Sequence, residues 1–151
     1  MSEASHRRPT SKRPREGWTS HSPFMEMMGF AVEEAKDGRS RIVMPHRLEM
    51  ENRKGDAHGG VVAALLDVAM TNAVRGAVEN IHGLATVSAT FNYLAPARGT
   101  LIGLGKVIKI GGAIAVASAD IVDESGAVVA HGTGNIRIIR RKERRGEGAA
   151  S

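Results

Sequence analysis

Residues 59–71, GGVVAALLDVAMT, constrain this chain most. Ala, Leu and Met favour helix, and the apolar positions are not confined to one narrow stripe. The segment therefore reads as a helix wrapped by other structure rather than one lying on a surface. It starts near Gly59, with Asp56 and His58 just before it as candidate caps for the free N–H groups. It runs on through Asn80, roughly 20 residues or about 30 Å, with Gly76 as a weak point and His82-Gly83 as its close. One residue contradicts this burial: Asp67 places a carboxylate in the middle of VVAALLDVAM.

Beyond the helix the pattern changes to period 2. In LATVSATFNYL, Ala85, Val87, Ala89, Phe91 and Tyr93 fall on one face and Thr86, Ser88, Thr90 and Asn92 on the other. Ala95–Gly99 makes a turn, LIGLGKVIKI a second strand, Gly111-Gly112 a two-residue hairpin turn and AIAVASADIV a third strand. Asp123–Gly126 turns again before a fourth strand, AVVAHGTGNIRII. Ahead of the helix, Ser22-Pro23 introduces one or two helical turns in FMEMMGF. A strand or a strand pair follows through 32–35 and 39–44 with Lys36-Asp37-Gly38 as the turn, then a loop over 46–58. Hairpin-linked strands around one long helix give an antiparallel sheet of five or six members packed on that helix, an α+β layer architecture.

A chain of 151 residues suits one domain with a real core. There is no cysteine, which excludes a disulfide scaffold and a thiolate metal site and fits a reducing cytoplasm. No apolar run is long enough to cross a membrane as a helix, and the basic N-terminus has no apolar stretch after it, so it does not read as a secretory signal. The net charge of +5 is misleading until it is located. Residues 1–20 hold five Lys/Arg against two acids and residues 140–151 again five against two, leaving −1 for residues 21–139. The expectation is a nearly neutral domain over 22–139 between basic, solvated tails at 1–21 and 140–151. Trp18 is the only aromatic residue in the tails and no DNA-binding motif accompanies them, so nucleic acid is not the expected partner.

Asn52-x-x-Gly55-x-x-His58-Gly59-Gly60, with Asp67 following inside the helix, resembles the PaaI-type acyl-CoA thioesterases of the hot-dog fold. Tyr93-Leu94-Ala95-Pro96-Ala97 is similar to that family's strand-to-turn sequence. The resemblance covers about residues 23–139. It implies an antiparallel sheet wrapped around a central helix, dimers or tetramers with shared sites, and hydrolysis of an acyl-CoA to free acid and CoA. CoA enters as part of the substrate, and no separate cofactor is implied.

The residues support that chemistry independently. Negative charge develops on a thioester carbonyl oxygen during attack, so catalysis needs a base or nucleophile and a preorganised donor. The start of the helix supplies free N–H groups at the favourable end of its dipole, and Gly59 and Gly60 leave them open to substrate. Asp67 supplies the carboxylate, as general base or nucleophile. Gly59 and Asp67 lie eight residues apart, a rise of about 12 Å, which no Asp side chain spans. The two are therefore expected to meet across a subunit interface, giving two sites per two-fold dimer. The competing reading for Asp67 is a surface carboxylate or one bonded to Thr71 or Asn72.

Asn52 is a candidate for holding the attacking water or orienting Asp67, against an ordinary turn asparagine. His58 is a cap or loop brace more than a substrate contact. Thr86 matches a small hydroxyl residue of the family's site, but its spacing from Asp67 is one residue longer than the resemblance implies, so Ser88 competes with it. Arg98, Lys109 and Arg137 are candidates for the CoA phosphates, and the resemblance points to Tyr93–Arg98, with Pro96, and Lys109–Ile114, with Gly111 and Gly112, as nucleotide-side segments. The six histidines show no metal-ligand spacing, and no metal is expected. A non-catalytic acyl-CoA-binding or regulatory module is the alternative reading. A hydratase ranks last, because its acid and histidine arrangement is not found here. The scarcity of aromatic residues chooses neither an aliphatic nor an aromatic acyl group.

Overall fold

The structure, a computed structural model, describes residues 22–141. The basic segments 1–21 and 142–151 expected as tails lie outside the described residues. Arg140, placed in the C-terminal tail by the sequence reading, is the last residue of a strand.

The elements are helix α1 (Pro23–Met28), strands β1 (Ala31–Lys36) and β2 (Arg39–Met44), a short 3-10 turn (Leu48–Met50), helix α2 (Gly59–Arg75), and strands β3 (Ile81–Tyr93), β4 (Leu101–Ile110), β5 (Ile114–Val122) and β6 (Val128–Arg140). The strands form one antiparallel sheet in the order β1-β2-β4-β5-β6-β3. α2 packs on its inner face, and the core lies between them: Leu65, Leu66 and Met70 of the helix against Ile42, Leu101, Ile121 and Ile136 of the sheet are all fully buried. This is the hot-dog fold.

The helix seats unusually close because the sheet offers glycines under it. A Cβ added at Gly103 would meet Ala69 and Leu65, one at Gly134 would meet Met70, and one at Gly105 would overlap the Ala69 carbonyl and the Ser40 hydroxyl. Ser40 Oγ donates to Ala69 O at 2.6 Å, so the contact is a hydrogen bond as well as a close approach.

α2 ends five residues before the expected Asn80. Its last turn meets β1: a Cβ on Gly76 would stand 2.6 Å from the Ala35 carbonyl carbon and the Lys36 nitrogen. The chain turns there, passes through Asn80 at φ 54°, and enters β3 at Ile81, earlier than the sequence pattern suggested. Two turns are also tighter or shifted. The β1–β2 hairpin turns on Asp37-Gly38 alone, both at positive φ as a type I′ turn requires. The β4–β5 turn sits one residue later than Gly111-Gly112, because Gly111 N–H still pairs with Ile114 O at 2.8 Å.

The most consequential departure is in β3. Thr86 pairs with Ile136 but Ser88 pairs with the very next β6 residue, Asn135, so Val87 is an extra, bulged residue. The bulge reverses the faces. Leu84 and Thr86 join Ala89 and Phe91 on the helix side, while Ala85 joins Ser88, Thr90 and Asn92 outside. The strict alternation expected over residues 85–93 fails at this point.

The glycine seat yields a stability prediction. Gly105→Ala should lower stability by about 1–3 kcal/mol through overpacking against helix backbone that cannot yield. Gly112→Ala, which meets nothing within 4 Å, should stay within about 0.5 kcal/mol of wild type. Thermal or urea unfolding of the two variants checks this.

Candidate active site

The sequence of 52–60 builds a fixed entry into α2. Asn52 Oδ1 accepts from Lys54 N at 2.8 Å and Asp56 N at 3.2 Å, and Asn52 N donates to Asp56 O at 2.7 Å. An isolated bridge joins Glu51 to Ala57, and His58 N–H donates to Met50 O at 2.8 Å. Asn52 therefore does the work of a turn asparagine through its oxygen, half-buried at the edge of the site.

His58 is the N-cap. Its Nδ1 accepts from Gly60 N at 2.9 Å, so the ring proton of the neutral imidazole belongs on Nε2. This bond corrects one expectation: the Gly60 N–H is not open to a substrate, because the cap occupies it. Val61 and Val62 N–H both point to His58 O. Gly59, at the first helical position, is left with an N–H that no helical, turn or loop bond engages. Above it, Tyr93 Oη donates to Gly59 O at 3.1 Å, and the Tyr93 ring lies 3.6 Å from where a Gly59 Cβ would be. A cleft of ≈ 220 Å³ opens beside Gly59 between the 52–57 loop and the turn after β3, with Val62 and Val129 at its apolar floor and Pro96 on its rim.

Asp67 lies apart from this cleft. It is partly exposed on the helix face that the sheet leaves uncovered, together with Gly60, Ala63, Ala64 and Thr71. Its Oδ1 accepts from Thr86 Oγ1 at 2.5 Å. The competing partners are otherwise engaged: Thr71 Oγ1 donates to the backbone oxygens of Asp67 and Val68, and Asn72 Nδ2 to Val68 O. Ser88, the rival of Thr86, faces outward and accepts from Asn135 Nδ2 at 3.0 Å. The Val87 bulge is what turns Thr86 toward Asp67.

Of the remaining candidates only Arg98 joins one of these places. It belongs with Gly59, its Nε bound to Asp56 Oδ1 at 2.5 Å. Lys109 and Arg137 lie on the outer face of the sheet, away from the helix, where Arg137 pairs in register with Ala85 and Ile114, and Lys109 with Val116. Neither makes an ion pair among the described residues. Gly111 and Gly112 form the exposed end of the adjoining hairpin. The sequence reading missed Asp56 as a site residue and treated it as a turn residue or cap. Its partner lies 42 residues away, so no local pattern announces the pair.

A free N–H at a helix start, an apolar cleft beside it and a hydrogen-bonded carboxylate on the same helix are the parts for attack on an activated carbonyl. Comparison with known proteins agrees. The family model of the thioesterase superfamily matches residues 54–130. The chain belongs to the thioesterase superfamily. A candidate esterase of Halobacterium salinarum is 35% identical over 128 residues, covering 78% of this chain and 85% of that protein. A thioesterase family protein from Silicibacter pomeroyi superposes with a TM-score of 0.75 at 25% identity, over 80% of this chain and 91% of that one. The E. coli PaaI protein, from the phenylacetic acid degradation operon, shares the fold with a TM-score of 0.72 at 22% identity, over 78% and 85%. Membership of that superfamily makes the protein a thioester hydrolase.

The Thr86–Asp67 bond can be tested within this thioesterase. Thr86→Val keeps the shape and removes the donor to a charged group, worth about 1.5–3 kcal/mol. Turnover should fall about tenfold to a hundredfold, while Ser88→Ala, on the outer face of the sheet, should leave it within about twofold. Steady-state kinetics of the two variants separates them.

Proposed function

We propose that this thioesterase hydrolyses an acyl-CoA or aryl-CoA thioester to the free acid and CoA, with Gly59 of one subunit and Asp67 of its partner acting on one carbonyl. The observation that carries the reading is the Gly59 N–H, left without a partner at the head of α2 while every other early N–H is capped. It faces developing oxyanion charge with the positive end of the helix dipole behind it.

Asp67, oriented by Thr86, removes a proton from the attacking water or attacks the carbonyl itself. In the first case the water oxygen bonds to the carbonyl carbon, the C–S bond breaks, and CoA thiolate leaves and takes up a proton. Asn52 and His58 shape the entry to α2, and Tyr93 and Pro96 line the passage. Lys109 and Arg137, without acidic partners, are suited to the phosphates of the nucleotide.

The reading includes a homodimer or homotetramer, and two features support that part of it. β3 is an edge strand paired on one side only, and Val87, Tyr93 and Leu94 are exposed along it. The uncovered stripe of α2 consists of small side chains around Asp67, which lets another helix approach.

Release of CoA thiol from short, medium, long and aryl acyl-CoAs tests the activity. Asp67→Asn should reduce kcat by at least about a hundredfold. Gly59→Pro tests the donor directly. Proline is tolerated at the first helical position, and His58 before it already has ψ 138°, the conformation a proline requires of its neighbour. The variant should fold, lose the N–H and lose about 10²- to 10³-fold in kcat, whereas Gly59→Ala, which keeps the N–H, should lose far less. Binding of acyl-CoA without turnover by wild type would instead support a binding module.

A further inference from the structure

Asp56 is the only buried ionisable side chain among the described residues. Its carboxylate is 10% exposed, and its partner Arg98 is 71% exposed. A buried carboxylate without a cation is strongly unfavourable, so this contact is not one that Arg98 gives up easily. The guanidinium is held by Nε, at 2.5 Å from Asp56 Oδ1.

The pair joins the two segments that wall the cleft beside Gly59. Asp56 lines it from the loop that forms one wall, and Arg98 follows Ala95–Ala97, which line it from the turn after β3. A second bond, Ala57 N to Ala97 O at 2.8 Å, runs beside it. On its other side Asp56 is tied to Asn52 through both backbone groups. Two residues after Asp56 comes the His58 cap, and then Gly59. Any displacement of Asp56 therefore passes through two peptide units to the one free N–H of the helix.

We propose that Asp56 is a positioning residue: through its ion pair with Arg98 it clamps the two walls of the cleft and fixes the direction of the Gly59 N–H. Arg98 is then a structural partner of Asp56 rather than a ligand for the CoA phosphates. The inference rests on the proposed role of Gly59 in thioester hydrolysis.

Kinetics with two substrates separate the roles. Wild type, Asp56→Asn, Arg98→Ala and Arg98→Lys are compared on an acyl-CoA and on the matching acyl-pantetheine thioester, which has no nucleotide phosphates. The clamp predicts that Asp56→Asn and Arg98→Ala each lower kcat about tenfold to a hundredfold on both substrates, with KM changed less than about threefold. It also predicts that the double variant loses no more than the worse single one, and that Arg98→Lys recovers part of kcat. A rise in KM confined to acyl-CoA on Arg98→Ala, with Asp56→Asn silent, would overturn the proposal and return Arg98 to the phosphates.

Amide hydrogen exchange gives a readout that needs no turnover. Both variants should speed exchange across residues 57–62 and leave β4 and β5 unchanged, and unchanged exchange across 57–62 would refute the clamp. If wild type hydrolyses neither thioester, the proposed reaction fails, and the exchange comparison alone decides the clamp. Should Asp56→Asn not fold, Arg98→Ala and Arg98→Lys, altered at an exposed side chain, carry both measurements.

Discussion

The close seat of α2 on the sheet is the constraint on which the rest of this structure depends. Gly105 and Ser40 let the backbone of the helix touch the backbone layer of the sheet, and the Ser40–Ala69 bond fixes the height and register of that contact. A helix held this close cannot slide or roll by a residue without steric overlap, because close-packed interiors do not deform continuously. Both ends of its chemistry follow from that position. Its head meets the 52–58 loop with one N–H left open, and its middle presents Asp67 to Thr86.

The same seat bears on the proposed shared site. The helix is continuous from Gly59 to Arg75 and anchored, so Gly59 and Asp67 keep a separation of about 12 Å along its axis. The sheet wraps one side and leaves the stripe of Gly60, Ala63, Ala64, Asp67 and Thr71 uncovered. In the dimer we propose, an antiparallel second copy laid on that stripe would bring the head of each helix toward the middle of the other, and two-fold symmetry would make both sites alike. Self-association would then remove the distance between donor and carboxylate.

Much of this was legible in the sequence, and the exceptions have specific causes. The helix head, the place of Asp67 within the helix and the succession of strands along the chain could be read because each depends on local pattern: helix-favouring residues, a glycine pair and alternation. The end of α2 could not be read, since AVEN continues a plausible helix and only the passage of β1 beside Gly76 stops it. The face of Thr86 could not be read because the bulged residue that sets it, Val87, carries no mark in the sequence. Asp56 was missed for the opposite reason: it looks like a turn residue and is one, but its ion-pair partner, Arg98, comes from a distant loop. The N–H of Gly60 looked as open as that of Gly59 until the ring of His58 was seen to fold back on it.

The central claim is that each site is shared, and mixing two inactive subunits tests it most directly. Asp67→Asn and Gly59→Pro chains, each inactive alone, are co-expressed with different tags and the heterodimer is isolated. With shared sites, the heterodimer pairs the intact Gly59 of one chain with the intact Asp67 of the other and recovers about half of the wild-type kcat, one site of two. A heterodimer as inactive as its parents would contradict the account, because it would place donor and carboxylate within a single chain.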